Sequence, residues 1–305
     1  MPDELRFGRL TVALSNTDKI FFPAEGITKG EVVGYYHEIA GQMMPYLRGR
    51  PIAMARYPDG IDGERIFQKN VPGYFPGWVR TAEVSKQGGT VRHVVCDNAA
   101  TLVYLANQGC IELHVFGSRT DRIDRPDQVV FDLDPAGARG FPLACRTALA
   151  LRELLEGKLG CTAYVRTTGG KGLHVHVPLD RRAGFDAVRA FARAVAQRLE
   201  DASPQELTTA QRKDARSGRL FIDIMRNAYA QTVVAPYAVR ARPGAPVATP
   251  LHWDELTDDA LTPDRFTLRT ISKRLGDGAD PWAGFWGNRY DLRRAQSVLD
   301  ELAGA

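Results

Sequence analysis

The sequence predicts an α/β fold of mixed, largely antiparallel β-sheets flanked by helices, and three features carry that expectation. Short β-prone runs recur along the chain, at Leu10–Leu14, Arg50–Tyr57, Trp78–Val84, Val91–Cys96, Ile111–Phe116, Val129–Asp134, Thr162–Thr168 and Leu220–Ile224. Segments of helical periodicity lie between them, the most regular being Phe185 to Leu199, with Val188, Phe191, Ala192 and Val195 on its apolar stripe. Glycine-rich turns separate the elements, and neither a repeat nor a flexible linker interrupts them, so one compact unit over 1–305 is expected.

Composition bounds the function classes. With 305 residues, 44% of them apolar and 25% charged, the chain can bury an ordinary globular core. A formal charge of +4 announces no basic tail, so nucleic-acid binding must come from local clustering. Cys96, Cys110, Cys145 and Cys161 are far apart with no Cys-x-x-Cys pair, which argues against a zinc site or disulfide framework and for buried thiols in a reducing cytoplasm. The first residues lack a signal-peptide pattern, and no apolar run reaches membrane-spanning length.

Taken in order, Leu10–Leu14 is a short strand followed by a turn-rich loop to Pro23. Thr28-Lys29-Gly30-Glu31 has the form of a capping box and opens a helix stopping near Pro45. Lys29 then sits in a first helical turn, where the dipole disfavours a cation unless an anion joins it; free amides and a lysine together make a phosphate site, whereas Lys19 and Lys29 alone read as solvated surface. Arg65 to Asn70 places Phe67 among cations, which suits stacking on a nucleobase or a lid on the core. Asp97 is expected to cap a helix running to about Asn107, and His114 lies on the polar face of the strand after it, a common place for a structural hydrogen-bonder. Phe141 to Leu155 is an amphipathic helix in a βαβ-like passage ending at Thr168. Arg240 and Arg242 are expected two apart on a strand, as phosphate-clamping cations, and two helices, roughly Pro263 to Leu275 and Arg289 to Leu302, close the chain.

Three stretches carry chemistry. Val129 to Pro135 puts Asp132 and Asp134 on one face of a strand while Phe131 and Leu133 point to the core; two close carboxylates suit Mg²⁺ or Mn²⁺, the alternative being turn caps before Pro135. Thr167 to Pro178 is a glycine turn with Thr168, Gly169 and Lys171, leading to His174 and His176 on one face of a strand; it suits a triphosphate, or a plain hairpin, and fits neither the Walker A nor the Rossmann spacing. The cationic run Gln211 to Arg219, containing Arg216, leads into an apolar strand broken by Asp223, a carboxylate that a metal shared with Asp132 and Asp134 explains. Acids, loop and cations together form an inventory for phosphoryl or nucleotidyl transfer through two divalent ions, with nucleoside triphosphates as substrates.

The chain resembles the polymerase domain of bacterial ligase D, the end-joining member of the archaeo-eukaryotic primase superfamily. The resemblance rests on Asp132-Leu133-Asp134-Pro135, on Gly169 to His174 with Lys171, and on Phe221-Ile222-Asp223, in the family's order. It extends to Leu14-Ser15-Asn16 with Asp18-Lys19, Thr28-Lys29-Gly30, Ile111-Glu112-Leu113-His114 and Ala235-Pro236-Tyr237. It implies a template-directed polymerase at DNA gaps and breaks that prefers ribonucleotides and Mn²⁺, with Asp132, Asp134 and Asp223 as catalytic metal ligands. It assigns Thr168, Gly169, Lys171, His174, His114, Arg216 and Arg240 to the incoming nucleotide, Lys19 and Lys29 to a downstream 5′-phosphate, and Phe67 to the template. The N-terminal part, about 1–124, then carries DNA-end contacts and the part from about 125–305 the catalytic motifs. Thr168 replaces the usual serine, Arg226 stands where an uncharged residue such as glutamine is expected, and Ile66 precedes Phe67 in place of a second aromatic. A monomer is implied in a bacterial cytoplasm, associated with the nucleoid, with a DNA ligase and Ku as partners. The alternatives are a primase acting de novo and a non-catalytic DNA-end-binding module that recruits those partners; a metal-dependent nuclease is a further one.

Overall fold

The computed structural model describes residues 2–137, 140–276 and 280–304 and divides the chain into two compact units. The first comprises residues 1–121, 232–248 and 266–277; the second comprises 122–231, 249–265 and 278–305.

The first unit is built on an antiparallel sheet ordered Thr232–Val234, Cys110–Phe116, Pro51–Arg56, Gly89–Val95, Thr81–Lys86, with Ile66–Gln68 also paired to Pro51–Arg56. Its centre is apolar, with Ile52 to Ala55 fully buried. The helix Lys29–Glu38 packs against Ala99–Asn107 and starts as the sequence predicts: Thr28 Oγ1 accepts from Glu31 N at 3.1 Å and Glu31 Oε2 accepts from Thr28 N at 3.0 Å. It ends earlier than expected, at Glu38, and a second helix, Ala40–Leu47, runs through Pro45 in its last turn, where the missing N–H costs little that tertiary burial of Met43, Met44 and Leu47 cannot offset. The helix at Ala99–Asn107 is capped by Asn98, whose Oδ1 accepts from Thr101 N at 2.8 Å, rather than by Asp97, which accepts from Gly49 N and pairs with Arg80.

The second unit carries a six-stranded sheet ordered Leu207–Thr208, Leu220–Asp223, Gln128–Asp134, Leu173–Pro178, Tyr164–Thr167, Pro250–Leu251. All pairings are antiparallel except the edge pair Leu207–Thr208 with Leu220–Asp223. The βαβ-like passage is therefore split: Gln128–Asp134 and Tyr164–Thr167 run parallel with Leu173–Pro178 inserted between them. The helices Phe141–Arg152 and Phe185–Ala202 pack against Gln128–Asp134, where Phe131 and Leu133 are fully buried. Trp282 closes the sheet near Tyr164 and His176, its Nε1 donating to the Val165 carbonyl at 2.9 Å. This is the mixed, largely antiparallel α/β architecture that the sequence predicts.

Two local expectations fail. The run from Pro263 has helical spacing, but a helix forms only at Ile271–Gly276, because the backbone around Phe266 to Leu268 is spent on pairing with Ala245 to Val247. Arg240 and Arg242 are not on a strand; a single bridge at Val239 precedes a tight turn in which Arg242 N donates to the Arg240 carbonyl at 2.8 Å. The final helix is Leu292–Gly304.

Candidate functional site

The acidic residues lie in a row across the second unit's sheet. Asp132 on the central strand is directly opposite Asp223 on one neighbour and His174 on the other, and Arg166 continues the row beyond His174. Asp134 shares the face of Asp132, opposite Phe221. Side-chain partners, not backbone amides, engage Asp132: His174 Nε2 stands 3.3 Å from Oδ1 and Arg226 Nε 3.4 Å from Oδ2. Asp223 does cap an amide, that of Met225 at 2.7 Å, and its Oδ2 lies 3.2 Å from Arg226 Nη2.

Arg166, fully buried, fixes the histidines. A guanidinium only donates, so its 2.6 Å contact with His174 Nδ1 leaves the ring proton on Nε2, pointing at Asp132. The same logic applies to His176, which accepts from Arg166 Nε at 3.2 Å through Nε2 and turns Nδ1 to Gln128 at 3.0 Å. Burial, then the Arg166 charge, lowers the His174 pKa to about 4, so the ring is neutral. Burial works against the Asp132 carboxylate, yet His174 and Arg226 hold it below the ordinary range. Burial and the neighbouring Asp132 charge push Asp134 and Asp223 above theirs.

Among the described residues, no group of three His, Cys, Asp or Glu side chains is already gathered as a metal shell. The donor set nevertheless fits a hard divalent ion, because three carboxylates adjoin in register and a cation, the Arg226 guanidinium, already stands between two of them. Asp132, Asp134 and Asp223 are the residues that can hold such an ion.

The glycine loop is drawn tight beside this row. Thr168 Oγ1 donates to the Gly172 carbonyl at 3.1 Å and accepts from Gly170 N at 3.2 Å, while Gly169 takes a left-handed φ of 61°. A side chain at Gly172 is excluded, since its Cβ falls 1.9 Å from the Leu133 carbonyl oxygen. Lys171 is exposed at the tip, and its charge reaches Asp134. Arg216 is held by the Ala210 and Gln211 carbonyls at 3.1 and 2.9 Å, lies 3.6 Å over the Phe221 ring, and directs Nη1 to within 3.7 Å of Asp134.

The remaining candidates belong to the first unit. His114 and Arg240 converge on Glu112, a buried carboxylate that accepts from Arg240 Nε at 2.9 Å and Ala241 N at 3.1 Å and stands 3.1 Å from His114 Nε2. Burial alone would raise the Glu112 pKa, but His114 and Arg240 hold it well below the carboxylate range; burial lowers that of His114. Phe67 is 43% exposed and meets His114 edge-on at 5.4 Å, so it is not a lid on the core. Lys19 and Lys29 border a cavity of about 270 Å³ with Ser15, Asn16, Phe21 and Arg56. Lys29 is buried, not solvated, with Nζ bonded to the Ser15 carbonyl and 3.2 Å from its hydroxyl, while Lys19 pairs with Asp59. Burial, with Lys19 nearby, lowers the Lys29 pKa to about 8. The helix amides do not form the expected anion site: Lys29 N and Gly30 N already donate to the Lys19 and Thr17 carbonyls, and Glu31 N to Thr28.

Glu112 as a hub, Arg166 and Asn227 escape the sequence reading. Asn227 imitates a backbone edge, accepting from Val130 N at 2.8 Å and donating to its carbonyl at 2.7 Å just where the strand Leu220–Asp223 has ended. Its partner is 97 residues away, so no local pattern exposes it.

Comparison with known proteins gives the family. A family profile described as the LigD primase-polymerase domain matches residues 28–282. The chain is 36% identical over 257 residues to the multifunctional non-homologous end joining protein LigD of Mycolicibacterium smegmatis, covering 84% of this chain and 34% of that protein. It is 33% identical over 289 residues to the bifunctional LigD of Bacillus subtilis, covering 94% and 46% respectively. The chain thus spans between a third and a half of the length of these curated relatives. The polymerase domain of Mycobacterium tuberculosis ligase D, solved in complex with DNA, superposes with a TM-score of 0.84 at 31% identity, covering 92% of this chain and 99% of that one. Profile, relatives and architecture agree, and the chain belongs to the LigD primase-polymerase domain family.

Proposed function

We propose that this chain is a template-directed nucleotidyltransferase that adds nucleotides, ribonucleotides in preference, to DNA 3′ ends at gaps and double-strand breaks during non-homologous end joining. The observation that carries the reading is the row Asp223, Asp132, His174, with Asp134 beside it, at the mouth of a glycine-lysine loop. Membership of a polymerase-domain family and the DNA-bound relative support DNA as the partner. A DNA ligase and a Ku-like protein are the further partners that the end-joining relatives suggest.

In this reading the 3′-oxygen forms a bond to the α-phosphorus of the incoming triphosphate, the α–β anhydride breaks, and pyrophosphate leaves. Asp132, Asp134 and Asp223 would hold divalent ions, Mn²⁺ or Mg²⁺, whose charge would lower the pKa of the 3′-hydroxyl and neutralise phosphate charge. His174, neutral and oriented by Arg166, donates through Nε2 and keeps Asp132 ionised. Lys171 and Arg216 offer their charge to the triphosphate, with Thr168 and Gly169 shaping the loop that presents Lys171. In the first unit, Glu112 aligns His114 and Arg240 for the nucleotide's sugar or phosphates, Phe67 offers a face to the template, and Lys19 with Lys29 takes the downstream 5′-phosphate.

The test is a gapped duplex with and without the downstream 5′-phosphate, incubated with Mn²⁺ and either ribo- or deoxyribonucleotides. Gap filling that is faster with ribonucleotides and with the 5′-phosphate is expected; equal rates with and without it point to a primase, and primer degradation to a nuclease. Asp132→Ala is expected to abolish addition while retaining phosphate-dependent DNA binding. Normal extension by that variant refutes the mechanism, and DNA binding by the wild type without any nucleotide addition leaves an end-binding module.

A further inference from the structure

The residue that sits oddly in this site is Arg226. It is the middle of a 3₁₀ turn, Met225–Asn227, that Asn227 staples to the backbone of Val130 at 2.7 and 2.8 Å. The staple fixes where the Arg226 side chain begins, and from there it spans Asp132 Oδ2 at 3.4 Å and Asp223 Oδ2 at 3.2 Å. Both contacts are longer than the ~2.8 Å of a strong charge-assisted bond. The side chain is 38% exposed, so the grip is reversible. A divalent ion held by Asp132 and Asp223 would draw on the same two carboxylates, so the guanidinium competes with it for them by charge and by hydrogen bonding.

We propose that Arg226 is a resident counter-cation of the acidic row, holding Asp132 and Asp223 together until a divalent ion displaces it, and so sets how much metal the site requires. This rests on the reading of the three acids as metal ligands. The linkage is that of a two-state site: a metal that binds only the arginine-released form has its apparent affinity reduced by the fraction of molecules in that form. If Arg226 occupies the acids about nine-tenths of the time, its removal strengthens metal binding about tenfold, which is ~1.4 kcal/mol.

The experiment measures Mn²⁺ binding by the whole chain without nucleotide or DNA, using the electron paramagnetic resonance signal of free Mn²⁺, alongside thermal unfolding in chelator and in saturating Mn²⁺. Arg226→Gln is expected to bind Mn²⁺ about tenfold more tightly, to melt earlier than wild type in chelator, and to recover in Mn²⁺. Arg226→Lys, which keeps the charge but loses the two-pronged fork, is expected to tighten binding by a smaller factor. Unchanged or weaker Mn²⁺ binding by both variants, with binding lost in Asp132→Asn, overturns the role of Arg226 and leaves the acids as ligands. Wild-type binding by Asp132→Asn overturns both.

Discussion

Glu112→Gln tests the first unit's polar hub. The carboxylate is 4% exposed and has three close partners, Arg240 Nε at 2.9 Å, Ala241 N at 3.1 Å and His114 Nε2 at 3.1 Å, with Arg65 Nη2 further off at 4.0 Å. Glutamine keeps the shape but removes the charge, and its amide nitrogen turns a donor toward groups that already donate. Breaking a buried pair from one side costs about 3 kcal/mol or more, and that is the loss expected near pH 7. The sign with pH follows from the lowered pKa of Glu112. Its contribution is fully present above the unfolded value of 4.5 and is lost progressively as pH falls toward the folded value. Between pH 4.5 and about pH 3 the wild type loses ~2 kcal/mol of this advantage, at ~1.4 kcal/mol per pH unit. Urea unfolding of both proteins at about pH 7 and about pH 3 therefore shows a penalty that shrinks on acidification. Nucleotide KM is expected to rise about tenfold with kcat changed less, because His114 and Arg240 lose alignment. An equal stability penalty at both pH values, or an unchanged KM, refutes the hub.

Three further outcomes are expected. Gly172→Ala places a methyl group 1.9 Å from the Leu133 carbonyl oxygen and 3.0 Å from Pro135 Cδ, so the loop must move; a loss above ~3 kcal/mol by urea unfolding, with weakened triphosphate binding, is expected, and wild-type stability refutes the close approach. Since the Lys29 pKa is about 8, the ammonium form declines as pH rises through that value while the DNA phosphate stays dianionic; the stimulation of gap filling by a 5′-phosphate should fade between about pH 7 and pH 9, and a flat profile refutes the assignment. Phe67→Ala should weaken template-dependent DNA binding by ~1–3 kcal/mol in a titration with gapped duplex while leaving folding intact, because the ring is 43% exposed; unchanged affinity removes Phe67 from the template.

What was legible in the sequence follows the range of the interactions. Asp132 and Asp134 were readable because a period of two assigns faces within one strand, and Asp223 because a charge broke an apolar run. The Thr28 capping box was readable because both of its bonds close within four residues. That Asp132 faces Asp223 and His174 directly was not, since register is set by pairings between segments far apart in the chain. Glu112 looked like one polar residue on an alternating strand, and its partner Arg240 is 128 residues away. The run from Pro263 has helical side-chain spacing, but its Phe266 carbonyl accepts from Val247 N and its Leu268 amide donates to the Ala245 carbonyl, pairings with a distant segment that spacing does not reveal. Asp97 and Asn98 differ in nothing that composition can weigh; the Gly49 amide and Arg80 take the aspartate and leave the cap to asparagine.

The arginines around the acids differ in what holds them, and that difference orders the site. Arg166 is fully buried against His174 and His176, partners that a metal ion does not remove. Arg216 is fixed by the Ala210 and Gln211 carbonyls and by the Phe221 ring, so its position near Asp134 is independent of the charge there. Arg226 rests on Asp132 and Asp223 themselves, through contacts of 3.4 and 3.2 Å. A divalent ion arriving at the acids leaves the first two cations in place, where Arg216 can meet a triphosphate, and dislodges the third. The two acids pushed upward in pKa, Asp134 and Asp223, are those for which burial outweighs the cations present. A divalent charge weighs more in that balance than the single charge of a guanidinium that stands partly in solvent.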